Sequence, residues 1–145
     1  RVLTSEGRFV ALVDGPMSSA HNYKEVHDLI YSYVQKEIPN YGEIDLGDPR
    51  IRGSESLSNL IHKAFPEAKV NIETNVVSME GPAIQVAEIA AGFFYAAFVL
   101  KPENKKLMIT SLSELLAISK QSTDSQRQGR FSMPINRLLV TPNIK

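Results

Sequence analysis

Few side chains in this sequence stand where chemistry could be done, and Glu80 is foremost among them. The stretch Val77-Ser78-Met79-Glu80-Gly81-Pro82-Ala83-Ile84-Gln85-Val86-Ala87-Glu88-Ile89 starts as a polar-alternating run and continues into an apolar one that lasts to Leu100. Glu80 therefore falls where a strand-like segment hands over to a helix-like one. Strand ends open onto a crevice and helix starts offer unpaired N–H groups, so ligands collect at such places. The plainer account of Glu80 is a solvated carboxylate favoured by a helix dipole. Asp48, Arg50 and Arg52 crowd a second loop, after Gly47, and an ion-paired turn would explain them. His21, His27 and Asp28 share one helical stretch at a spacing that matches no common metal motif, and His62 stands alone on another. No metal or cofactor is implied by any spacing.

The elements that must position these groups are set by periodicity. Arg1–Thr4 and Phe9–Val13 read as strands, with Asp14-Gly15-Pro16 a turn. Asn22 followed by Glu25 resembles a capping box, with Ser19 the other candidate cap. Tyr23, Val26, Ile30, Tyr33 and Val34 then share one helical face until Pro39 removes an N–H. Residues 41–46 suggest a short strand. Ser54 or Ser56 can cap a helix carrying Leu57, Leu60, Ile61 and Phe65, closed by Pro66. Val70, Ile72, Thr74 and Val76 alternate with polar residues, as in a strand with one buried face.

Pro82 suits the first turn of a helix that is apolar nearly all round and central, ending at Gly92. Phe93–Leu100 reads as a buried strand, Leu107–Ile109 as a short one, Ser113–Ile118 as a helix and Ile135–Thr141 as a last strand. Residues 121–134 are expected to form a mobile polar loop, since Gln121–Gly129 has no apolar period. Alternating strands and helices imply α/β architecture, a layered and largely parallel sheet flanked by helices in one domain over residues 1–145.

Composition narrows the classes. The chain has 145 residues, 43% of them hydrophobic, which suffices for a globular core. It has no cysteine, which excludes disulfides and thiolate chemistry. Its longest apolar run, Ile89–Leu100, is shorter than the roughly 20 residues that cross a bilayer. With no signal peptide evident, a cytoplasmic protein without a membrane partner is expected. Arg1 in place of an initiator Met suggests a processed or longer parent. Net charge is zero, yet residues 1–100 hold 8 basic and 13 acidic side chains while residues 101–145 hold 8 and 3. The basic part lacks clustered aromatics, so a solvated surface is favoured over nucleic acid.

Several segments together resemble a known family. Gly42–Ile51, Gly53-Ser54 with Leu57, and Phe65-Pro66-Glu67-Ala68 resemble a Gly-Asp loop, helix and Phe-Pro corner. Val77–Gly81 with Ala83-Ile84 and Val86-Ala87 is similar to a ribose-binding Met-Glu segment and its buried helix. Gly92–Glu103 resembles the next strand and catalytic loop, and Ser113–Gln121 the start of a closing helix. These are features of the nucleoside phosphorylase/nucleosidase superfamily, most nearly the C-terminal half of the methylthioadenosine/S-adenosylhomocysteine nucleosidases. The resemblance covers roughly residues 40–121.

It implies cleavage of the N-glycosidic bond of a purine nucleoside through an oxocarbenium-like transition state that carboxylates stabilise. On that likeness Glu80 would bind the ribose hydroxyls, with Met79 packed on the sugar and Ile51 beside the base. Arg50 stands where the family has a stacking aromatic and could stack as a guanidinium plane. Glu103 occupies the place of the family's acid, an Asp, and would protonate the departing purine. Val99 stands where the family has an arginine, and the family's first half has no counterpart. The resemblance thus implies either an enzyme completed by another segment or subunit, homo-oligomeric as its relatives are, or a non-catalytic binding or assembly module.

Overall fold

A computed structural model describes residues 7–41, 48–118 and 127–141. Strand β1 is Phe9–Asp14 and helix α1 Tyr23–Glu37; helix α2 is Ser54–Ala64, strand β2 Lys69–Pro82 and helix α3 Ala83–Gly92. Helix α4 spans Pro102–Leu116 and strand β3 Gln128–Thr141, with short 3-10 turns at Met17–Ser19, Pro49–Ile51 and Tyr95–Val99.

The expected layered, largely parallel sheet does not form. The described residues build three strands in the order β1-β3-β2, all antiparallel, and four α-helices. A parallel pair needs a crossover of a dozen or more residues returning each strand to one sheet. Here the two apolar runs that would have supplied further strands are not strands. Phe93–Leu100 is largely the 3-10 turn, and Leu107–Ile109 lies inside α4. Short apolar runs do not separate strand from helix by hydrophobicity, and Pro102 at the first turn of α4 commits the residues after it to helix. Met108, Leu112 and Leu116, spaced four apart, are almost wholly buried on it.

The expected loop over 121–134 is corrected in its second part, since Gln128–Pro134 opens β3. Residues 121–126 lie outside the described residues, as do the strand expected at Arg1–Thr4 and most of the one at 41–46.

Two compact units share the chain, with their boundary inside β2 and β3. The first holds β1, α2, the β2 residues up to Val77 and the β3 residues from Met133. Ala68, Leu138 and Val140 are its buried apolar centre, flanked by Ala11, Ile61, Val70 and Ile72. β1 pairs with β3 from Phe9 opposite Val140 to Asp14 opposite Ile135, which sets Ala11 over Leu138 on the buried face. Helix α2 begins after Gly53, not after a serine cap, and Ser56 Oγ instead donates to the Arg50 and Gly53 carbonyls. Phe65-Pro66 stops it as the sequence implies.

The second unit holds α1, α3 and α4 with the remaining parts of β2 and β3. Tyr23, Val26, Ile30 and Val34 form the buried stripe of α1. Asn22 precedes it in the left-handed region, φ 64°, a conformation asparagine tolerates better than most residues, and its side chain makes no capping bond. Helix α3 is not buried all round. It buries Ala83, Val86, Ala87, Ala90 and Ala91 and leaves Ile84 and Ile89 about half exposed. Small residues on its inner face let α4 lie close against it. Tyr23, Phe94 and Phe131 cluster with ring centroids 5.4–6.5 Å apart.

Four cross-strand side-chain contacts, Glu73–Arg137, Thr74–Asn136, Ser78–Ser132 and Glu80–Arg130, all obey one antiparallel register. In the first unit β3 buries Pro134, Asn136, Leu138 and Val140, whereas in the second it buries Gly129, Phe131 and Ser132. Burial along β3 thus changes phase between the adjacent buried residues Phe131 and Ser132.

Candidate functional site

The five candidates divide between the units: Arg50 and Ile51 belong to the first, Met79, Glu80 and Glu103 to the second. Glu80 stands near the end of β2, three residues before α3 begins, so the strand-to-helix hand-over exists as the sequence implies. Its carboxylate is engaged, however. Arg130, directly opposite on β3, reaches Glu80 Oε1 with both Nε and Nη2 at 2.6 Å. Both side chains are about half exposed (Glu80 54%, Arg130 50%), so the pair is a solvated cross-strand ion pair of modest strength. Met79, next to it, is half-buried on the strand face that carries Gly81, Gly129 and Phe131. At the start of α3 the Ala83 N–H donates to the Arg127 carbonyl at 2.8 Å, so that donor is not offered to a ligand.

Glu103 is the second residue of α4 and is exposed. Among the described residues it makes no hydrogen bond or ion pair. A carboxylate in a first helical turn interacts favourably with the helix dipole, which accounts for its place there. The start of α4 is instead tied to α1, where Glu37 Oε1 accepts from Asn104 Nδ2 and from the Lys101 N–H.

Arg50 sits in the turn Pro49–Ile51, capped by Asp48, whose Oδ1 accepts from the Arg50 N–H at 3.0 Å. Its guanidinium grips the same carboxylate through Nε and Nη2, at 2.9 and 2.6 Å. That hydrogen bonding holds the Asp48 carboxyl down at a pKa of about 2. The planar fork is thereby committed to Asp48 in an exposed setting, and Ile51 beside it is half-buried.

Two of the three histidines take structural places. His27 stacks on Tyr31 with centroids 4.3 Å apart and contacts Asp28 at 3.1 Å. His62 bridges Ser58 and the Ala68 carbonyl. No group of three potential metal ligands occurs among the described residues.

Sequence reading missed two features. One is the polar centre of the first unit. Asn136, with no exposed surface, accepts from Thr74 Oγ1 at 2.8 Å and donates to the Arg52 carbonyl at 2.9 Å. Arg52 in turn reaches Asp14 at 3.3 Å. The signal was present in Pro134, Asn136, Leu138 and Val140, a period-two run in which a buried asparagine breaks the apolar series. The other is an aromatic face on the second unit, where Tyr95 and Phe98 are 78% and 61% exposed. Tyr95 and Phe98 lie 6.2 Å apart, and the Lys105 ammonium stands 5.1 Å over the Phe98 ring. Large aromatics left in water next to a cation are what binding surfaces contain, and a solvated surface seldom keeps them together otherwise. No protein-family model and no curated protein matches the chain.

Proposed function

We propose that this chain is a non-catalytic binding module that docks an acidic, apolar segment of a partner protein on the aromatic face of its second unit. The observation that carries this reading is the exposed group Tyr95, Phe98 and Val99 with Lys105 lying over Phe98. Lys101, Lys105 and Lys106 lie within eight residues of Phe98 in the sequence and outnumber Glu103 there. A partner offering carboxylates around leucine or aromatic side chains would cover the rings and meet the ammonium groups. Cytoplasmic residence belongs to the same reading. No described helix is long and apolar enough to cross a membrane.

The test is selection of displayed peptides on the immobilised protein, followed by titration of the enriched peptides in solution. Enrichment of acidic sequences with apolar anchors is expected, with affinity lost at least tenfold in Tyr95→Ala and Phe98→Asp. Enriched peptides that bind those variants unchanged would remove the reading.

A second reading is cleavage of a purine nucleoside with Glu80 on the ribose, Glu103 as acid, and Met79, Ile51 and Arg50 as binding groups. One observation favours it, the placement of Met79-Glu80 on a strand that leads directly into α3. The enzyme would need a completing segment or a second subunit. Adenine release from methylthioadenosine that disappears in Glu80→Gln would establish it over the binding module.

A further inference from the structure

The three-stranded sheet has two outer strands, and they are defended unequally. β2 carries Lys69, Asn71, Glu73, Asn75 and Glu80 and ends in Pro82, the charged and prolyl residues that discourage further strand pairing. β1 reads Phe-Val-Ala-Leu-Val-Asp and has no such residue before its last position. Val10 and Leu12 on its outer face are 60% and 68% exposed. Among the described residues no strand pairs with its outer edge. A row of backbone N–H and C=O groups flanked by exposed apolar side chains is a template for another strand.

The ends of β1 indicate which strand. Arg8 precedes it and Asp14 closes it. Antiparallel pairing of β1 with a second β1 about a two-fold axis at Ala11 puts Arg8 opposite Asp14, Phe9 opposite Val13 and Val10 opposite Leu12. Sliding the register by one residue in either direction destroys the Arg8–Asp14 match and sets a charge against an apolar residue or a turn. The same register keeps the buried face of each strand (Ala11 and Val13) on one side. It gathers Val10 and Leu12 of both copies on the other. Asp14 also contacts Arg52 at 3.3 Å, but it is half exposed and a carboxylate accepts from more than one guanidinium.

We propose that β1 is the self-association edge of this protein, joining two copies β1 to β1 in the Ala11-centred register to form a continuous six-stranded antiparallel sheet. The contact is isologous, as a two-fold dimer requires. Seven paired residues on each strand, Arg8 to Asp14, give an interface at the small end of the range, below about 1,200 Å², so the dimer dissociates on dilution. The aromatic face of the second unit has no part in this contact, so either proposal can fail without the other.

Sedimentation equilibrium of the whole chain over a hundredfold concentration range tests it. A reversible dimer is expected, and Leu12→Lys should leave a monomer with unchanged far-UV circular dichroism. The register has its own test, because the chain contains no cysteine. Opposed residues in an antiparallel pair have Cα atoms about 4.5–5.5 Å apart, within disulfide reach. Ala11→Cys should therefore oxidise to a covalent dimer. Val10→Cys alone should not, while Val10→Cys mixed with Leu12→Cys should give the cross-linked pair. A wild-type protein that stays monomeric, a dimer that survives Leu12→Lys, or Val10→Cys cross-linking as readily as Ala11→Cys would each overturn the proposal.

Discussion

Replacing Asn136 by alanine should be among the most damaging single changes to the first unit. The side chain has no exposed surface and makes two hydrogen bonds, to Thr74 Oγ1 and to the Arg52 carbonyl. Each net bond contributes about 1 kcal/mol, and a buried group left without a partner costs about 1–3 kcal/mol. Thr74 is exposed and its hydroxyl can turn to water, so the second penalty falls mainly on the Arg52 carbonyl. The expected loss for Asn136→Ala is therefore about 2–4 kcal/mol. Thr74→Val, which removes the hydroxyl at nearly constant shape and leaves the buried Asn136 Oδ1 without its donor, should cost about 1–3 kcal/mol. In the double variant that second cost should vanish, leaving a coupling of the same size, about 1–3 kcal/mol. Urea unfolding of the four proteins measures the cycle. Hydrogen exchange should show the loss at the β1–β3 amides before the α3–α4 amides. A cost under about 1 kcal/mol for Asn136→Ala, or a Thr74→Val cost that persists in its background, would refute the assignment of Asn136 as the polar centre of this unit.

The remaining expectations are narrower. Gly129→Ala should destabilise the second unit by about 1–3 kcal/mol, because a Cβ there would stand 2.9 Å from the Ala83 Cα, a backbone atom with no room to move; thermal unfolding reads it. The Asp48 carboxyl should titrate near pH 2 by NMR and rise toward the usual carboxylate range in Arg50→Ala, which removes the guanidinium bonds and keeps the backbone one. Its folded pKa lies below the unfolded value, so whatever the pair adds to stability is present above about pH 4. That contribution is lost as pH falls through about 2. Glu80→Gln should change stability by no more than about 1 kcal/mol, since the ion pair with Arg130 is half exposed.

Much of the local structure was legible and the topology was not. The stripe Tyr23, Val26, Ile30 and Val34, the stops at Pro39 and Pro66, and the hand-over at Pro82 all lie where residue type alone placed them. Each is a local matter of periodicity or of a missing N–H. Phe93–Leu100 failed because its apolar content fits a buried strand and a turn-helix equally. The deciding features were Pro102 and the four-residue spacing of Met108, Leu112 and Leu116 further on. β3 was under-read for a related reason. Its burial changes phase between Phe131 and Ser132, so no single alternation runs through it, and a strand that serves two cores looks aperiodic.

The same distinction applies to the candidate site. Residue type made Glu80 the foremost group, and its position at the strand-to-helix junction is as expected. No sequence pattern disclosed that antiparallel pairing brings Arg130, fifty residues on, directly opposite it. In a parallel sheet the end of a strand faces a crevice and a carboxylate there meets ligand. In an antiparallel ribbon each side chain instead faces its cross-strand neighbour. The change of topology thus turns the most suggestive acid in the chain into one half of a surface pair. The binding and self-association proposed above rest instead on groups that a catalytic search passes over: exposed rings beside a lysine, and an outer strand with no charge along its middle.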